Sequence, residues 1–339
     1  MEPLSKLLKS KDVVLCGEGY LFELEKRGHV SIGPFVPTVV LETPEAVLQL
    51  HRDLVRCGSD IVEAFTYYGH REKLKLVGAE GKTEEINRRA VILAKTVAYE
   101  FPGTLVAGNV SNSTIWDDED EEVKERVRQD MNQQIRIAKE EGADFIIAET
   151  INNFNEALTA LKTIQKYELE SVITMSCRSA EHTSDGIPIV DALTMLAKEG
   201  ATVVGLNCTR GPQTMLPVLE KIAQKFKEEN ISTPLAALPV IYNTTPDKPT
   251  MQMITNSKCL YMDMESKTCN RYEAADFAEK AYNLGVRYMG ICCGGSPYHL
   301  RAMAERLGIE TIASKYSPDL GKHFAIKNKT HNQTKAFYT

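Results

Sequence analysis

The sequence predicts a single (β/α)8 barrel of the TIM type, and three observations predict it. Eight short apolar runs alternate with longer segments of helical period, glycines close several helices just before the next run, and no glycine-rich phosphate turn follows the first run. The strand segments are VVLCG at 13–17, SDIVEAFTY at 59–67, TLVAGNV at 104–110 and ADFIIAE at 143–149. They continue with SVITMSC at 171–177, ATVVGLNC at 201–208, PLAALPVIYN at 234–243 and VRYMGICC at 286–293. Helical period covers 43–57, 83–100, 120–141, 154–167, 188–199, 212–229 and 273–284, with a last helix at 297–307. Thr43-Pro44-Glu45 reads as a helix start, and Gly58, Gly142, Gly200 and Gly285 read as stops. A doubly wound sheet is the alternative, but CGEGYLF at 16–22 is not the G-x-G-x-x-G turn such a sheet carries. The barrel is expected to fill 1–313, with 314–339 a polar, extended or disordered C-terminal arm. The poorly periodic stretch 243–270 reads as a long functional or mobile loop.

With 43% hydrophobic and 25% charged residues, the composition is that of an ordinary soluble globular protein. A net charge of −6 without a basic stripe argues against nucleic acid, since phosphate binding needs concentrated positive charge. The N-terminus lacks the apolar core of a signal peptide, and no window approaches a membrane span. The expected location is the cytoplasm. Thiols stay reduced there, so the eight cysteines are expected to be free, buried or metal-bound.

The strand C-termini of such a barrel share the face that carries chemistry. The sixth strand ends in Asn207-Cys208, the eighth in Cys292-Cys293, the fourth in Glu149 and the second in Tyr67-Tyr68. Three cysteines from two strand ends make a three-thiolate zinc site with a fourth position open to water or substrate. Adjacent strand residues point to opposite faces, so Cys292 and Cys293 can share a metal only if the chain bends there, and Gly294-Gly295 permits it. Cys16, Cys57, Cys177, Cys259 and Cys269 lack such a context and read as packing or loop residues. Glu149 closes a buried run, where a carboxylate needs a cation or donors; a rim ion pair and a substrate ammonium both answer that need. Tyr67 and Tyr68, with Phe65 and Phe35, either pack the barrel mouth or line an apolar pocket that would attract a quaternary ammonium. His70 and His299 read as structural.

The pairing of GLNC at 205–208 with GICCGGSPYHLRAMAE at 290–305 resembles the zinc-dependent homocysteine S-methyltransferases. FELEKRG at 22–28, PEAVLQLHRDLVRCGSD at 44–60, FTYYGHREKL at 65–74 and AYNLGVRYMGICCG at 281–294 are most similar to the betaine-dependent members. The resemblance runs from about Val13 to Leu307. It implies one zinc per chain on Cys208, Cys292 and Cys293, with Glu149, Glu18, Gly17 and Gly19 about homocysteine. It further implies Tyr68, Tyr67 and Phe35 about the methyl donor. The implied reaction carries a methyl group from betaine to homocysteine, with no catalytic group beyond the metal site. A sulfonium donor such as S-methylmethionine and a non-catalytic homocysteine-binding barrel are the other readings. The sequence departs from the resemblance at Gly17-Glu18-Gly19 (Asp-Gly-Gly in the betaine enzymes), at Phe35 (tryptophan), at Thr150 (tyrosine) and at Ile291 (often glycine). The match fades near Lys315, ahead of the arm with which the betaine enzymes assemble, so oligomeric state stays open.

Overall fold

The computed structural model describes residues 3–31, 33–255 and 264–319, and within them eight parallel strands close into a barrel in sequence order. The strands are β1 (Val14–Gly17), β2 (Ile61–Glu63), β3 (Leu105–Ser111), β4 (Phe145–Ile151), β5 (Glu170–Met175), β6 (Val203–Asn207), β7 (Leu235–Leu238) and β8 (Val286–Ile291). β1 closes against β8 through Val14 beside Tyr288 and Cys16 beside Gly290. The helices are α1 (Pro3–Ser10), α2 (Tyr20–Lys26), α3 (Val39–Glu42), α4 (Pro44–Arg56), α5 (Arg71–Leu74) and α6 (Thr83–Glu100). They continue with α7 (Glu121–Glu140), α8 (Phe154–Lys166), α9 (Ile189–Lys198), α10 (Pro212–Glu228), α11 (Arg271–Asn283) and α12 (Pro297–Arg306). None of these is long and apolar enough to cross a membrane.

Strand alternation divides the core into two layers. Val14, Cys16, Ile61, Phe145, Ile147 and Tyr288 fill the barrel interior, while Leu15, Val62, Ile146 and Met289 meet the helices. The barrel's N-terminal end is stoppered by α1, a helix the sequence reading did not include. Leu4 of α1 joins the interior cluster, burial worth about 1.5–3 kcal/mol. The Glu170 carboxylate at the start of β5 accepts the free N–H groups of Leu4 (2.7 Å) and Ser5 (2.9 Å), so it caps this helix from another element.

The long helices lie within about two residues of the sequence expectation, and α11 starts at Arg271 rather than 273 because Asn270 and Glu273 form a capping box. The largest differences are at β2 and β7, both much shorter than expected. β2 stops at Glu63 instead of reaching Tyr67: after Ala64 N–H donates to the Ala107 carbonyl, the chain turns, with Gly69 N–H on the Thr66 carbonyl. Tyr67 and Tyr68 therefore sit on a loop rather than on a strand end. β7 stops at Leu238, and residues 239–243 leave the sheet to brace the functional face. Of the expected C-terminal arm, Ser314–Tyr316 form a 3-10 turn rather than extended chain, tied back by Ala313 N–H on the Arg56 carbonyl; residues 320–339 lie outside the described residues.

Candidate active site

The three cysteines meet at the C-terminal ends of β6 and β8. Cys208 Sγ lies 3.6 Å from Cys293 Sγ, and Cys292 Sγ lies 3.9 Å from Cys293 Sγ. Backbone geometry far from regular strand achieves this. Cys208 and Thr209 are both left-handed, at φ 57° and 61°, a strained pair for residues with side chains. Past β8 the chain bends, with Gly295 N–H donating to the Cys292 carbonyl, so two adjacent cysteines present their sulfurs to one point. The segment leaving β7 locks both turns together. Cys208 N–H donates to Leu238, Cys292 N–H to Pro239, and Ile241 N–H to Cys293, each at 2.9 Å.

Three thiols this close cannot all ionise without a cation. Hydrogen bonds from Cys292 and then Cys293 pull the Cys208 thiol well below its ordinary pKa. Facing Cys208 pushes Cys292 and Cys293 well above theirs. A divalent cation held among the three sulfurs would stabilise all three as thiolates. The Sγ atoms all lie within 4.8 Å of one another, which suits a metal site.

Beside the thiols, three buried carboxylates converge from different strand ends. Asn207 Nδ2 donates to Glu149 Oε2 (2.9 Å) and Glu18 Oε2 (3.3 Å), and Asn109 Nδ2 donates to Glu149 Oε1 (2.7 Å) and to Glu63. Carboxylate atoms of Glu18 and Glu149 lie within 4.8 Å of Cys292 Sγ and of each other. Among the described residues, Glu18 Oε1 and Glu63 Oε2 are buried without a hydrogen-bond partner. Burial first, then the Glu149 charge, raises both Glu18 and Glu63 well above the usual carboxylate range, and burial raises Glu149 to about 7. Such a group is set up to receive a cation.

These residues open into a cavity of about 440 Å³, within the range of small-molecule sites. Phe35, Phe65, Tyr67, Tyr68 and Trp116 wall it, and the Tyr67 and Tyr68 rings meet at 4.3 Å. Ser111 Oγ accepts the Tyr68 N–H at 3.1 Å, and Asn112 Nδ2, within 3.5 Å of Tyr67 Oη, also donates to the Thr150 carbonyl at 3.0 Å. Met251 and Gln252 carry the long loop after β7 into the wall.

The structure thus brings Cys208, Cys292, Cys293, Glu149, Glu18, Gly19, Tyr67, Tyr68 and Phe35 to one face. Gly17 stands apart: its missing side chain would point at Leu54 of α4, and it does not line the cavity. His299 is a capping residue of α12, its Nδ1 accepting Ser296 N–H at 3.1 Å while Nε2 lies 3.0 Å from the Cys269 carbonyl. Cys16, Cys177 and Cys269 are buried outside the three-thiol cluster, Cys16 with its Sγ within 4.8 Å of Glu18 and Glu63 carboxylate atoms; Cys57 is half-buried, and Cys259 lies outside the described residues. Sequence reasoning missed Glu63, Asn109, Trp116 and Arg178. Glu63 gave the same signal as Glu149, a carboxylate in an apolar strand run, but that run was read as continuing to Tyr67.

A barrel with a three-thiol cluster and acidic pocket at its C-terminal mouth defines a class, and comparison with known proteins names it. The homocysteine S-methyltransferase family model matches residues 13–307, and the chain belongs to that family. Betaine–homocysteine S-methyltransferase 1 of Mus musculus is 34% identical over 307 residues, covering 89% of this chain and 74% of the mouse protein. S-methylmethionine–homocysteine S-methyltransferase BHMT2 of Pongo abelii is 33% identical over 303 residues, covering 89% and 80% respectively. In fold, the chain matches the metallated form of the Escherichia coli homocysteine methyltransferase MmuM with a TM-score of 0.70 at 22% identity, over 90% of this chain and all of that one.

Proposed function

We propose that the protein transfers a methyl group from betaine to homocysteine, giving methionine and dimethylglycine, with one zinc ion held by Cys208, Cys292 and Cys293. The observation that carries this reading is the thiol cluster opening into a cavity with buried carboxylates on one side and aromatic rings on another. Tetrahedral zinc with Zn–S of about 2.3 Å requires S···S edges of about 3.8 Å. The distances of 3.6 and 3.9 Å fit that edge. Bound zinc would supply the charge that keeps the homocysteine sulfur a thiolate at neutral pH.

The chain's own residues do the rest. Glu149 and Glu18 face the homocysteine ammonium, which relieves the repulsion between them, and Asn109 and Asn207 hold the Glu149 carboxylate in place. The rings of Phe35, Tyr67 and Tyr68 offer faces to the donor's cation. The sulfur lone pair forms the new S–C bond as the C–N pair leaves on nitrogen, a displacement that needs alignment and exclusion of water more than proton transfer. A sulfonium donor is the second reading, because relatives named for betaine and for S-methylmethionine stand at 34% and 33% identity. Methionine formation measured with each donor separates them. Turnover with betaine supports the first reading, turnover with S-methylmethionine alone replaces the donor, and bound zinc without methionine from either leaves a binding protein.

A further inference from the structure

We propose that Arg178 receives the carboxylate of the methyl donor, and so restricts the donor to zwitterions that carry a methylated cation and a carboxylate together. The inference rests on the methyltransferase reading and adds a specificity residue to it. Among the described residues, the charged side chains lining the cavity are Glu63, Glu149, Glu156 and Arg178. Its interior holds three buried carboxyl groups and three thiols and, among the described residues, offers a donor carboxylate no cationic side chain. Among the described residues Arg178 is the one basic group in that wall, and it is solvent-exposed.

Its backbone is fixed, and its guanidinium is unpaired among the described residues. Buried Arg210 donates from Nε to the Cys177 carbonyl at 2.9 Å and from Nη2 to the Arg178 carbonyl at 3.1 Å. Arg210 follows Cys208 and Thr209 in the turn after β6, so the Arg178 loop is tied to the turn that carries a metal-binding thiol. No hydrogen bond or ion pair to another described residue holds the Arg178 guanidinium. A planar five-donor fork pairs with a carboxylate through two parallel hydrogen bonds. Lys73 is placed over the Tyr68 ring at 4.1 Å and does not line the cavity. With aromatic faces within and a cation at the rim, a zwitterionic donor enters methyl end first.

Trp116 is the chain's single tryptophan and lines the cavity, so its fluorescence reports donor binding directly. R178Q and R178K are compared with the native protein in methionine formation with betaine and with S-methylmethionine. The same proteins are titrated by fluorescence with betaine and with tetramethylammonium, which has the cation and no carboxylate. The expected result is a rise of about tenfold or more in KM for the active donor and in Kd for betaine with R178Q, partly recovered in R178K. KM for homocysteine and Kd for tetramethylammonium are expected to move less than about twofold, because neither involves the donor carboxylate. Equal weakening of betaine and tetramethylammonium, or a rise in KM for homocysteine alone, overturns the assignment while leaving the methyltransferase reading intact. Failure of native zinc-loaded protein to make methionine from any donor overturns both.

Discussion

Gly19→Ala tests how the first-strand turn supports the metal site. Gly19 has φ +80°, and a Cβ built there would lie 2.5 Å from the Cys292 carbonyl oxygen, 2.6 Å from its carbon and 3.0 Å from the Cys293 nitrogen. These are backbone atoms of the cysteine corner, with no rotamer through which to yield. The left-handed conformation costs an alanine about 1–2 kcal/mol, and overpacking adds about 1–3 kcal/mol, for a total of about 2–5 kcal/mol. Gly28 provides the control, since it has φ +77° and nothing within 4 Å of its Cβ, so Gly28→Ala carries the conformational cost alone. The assays are thermal melting of both variants and metal competition against a chromogenic chelator. Gly19→Ala is expected to melt lower than Gly28→Ala and to bind metal about 10–100-fold more weakly, the usual cost of disturbing a ligand's support. Equal melting shifts and equal metal affinities in the two variants would refute the reasoning.

Two further outcomes follow from the buried charges. Glu149→Gln keeps the shape but removes the charge proposed to face the homocysteine ammonium, so KM for homocysteine is expected to rise about tenfold to a hundredfold with metal content unchanged; an unaltered KM contradicts the assignment. His51 is fully buried, with Nδ1 3.3 Å from Tyr20 Oη, and burial lowers its pKa from 6.5 to about 3. Between those values the unfolded chain binds a proton that the folded chain refuses, so stability falls as pH falls, by about 2 kcal/mol from pH 7 to 5 for this residue. Asp130, raised by burial to about 6, acts in the opposite sense, since there the folded chain holds the extra proton. Urea denaturation of His51→Gln at the two pH values is expected to show a correspondingly flatter loss, and an unchanged slope counts against it.

The eight strands and their order could be read because barrel strands are apolar on both faces and leave continuous runs, and the cysteines stood at their ends. The bend at Cys292-Cys293 was legible too, because glycines mark it. The matching distortion at Cys208-Thr209 was not, since nothing in two ordinary residues announces consecutive left-handed conformations. Nor was the bracing segment after β7: Pro239–Tyr242 is as apolar as a strand, and only its long-range partners make it a clamp between the two cysteine turns. Asn109 reads as an unremarkable polar residue in a strand until Glu63 and Glu149 are seen on either side of it. The barrel stopper α1 escaped notice because its value lies in Leu4 and in a cap supplied by Glu170, 166 residues away.

On the proposed reading, Cys208, Cys292 and Cys293 hold a metal whose open position takes the homocysteine sulfur. X-ray absorption at the zinc edge, on zinc-loaded protein before and after adding homocysteine, tests it most directly. Three sulfurs at about 2.3 Å with one lighter ligand are expected, becoming four sulfurs when homocysteine binds. A sulfur count that does not change on adding saturating homocysteine would contradict it.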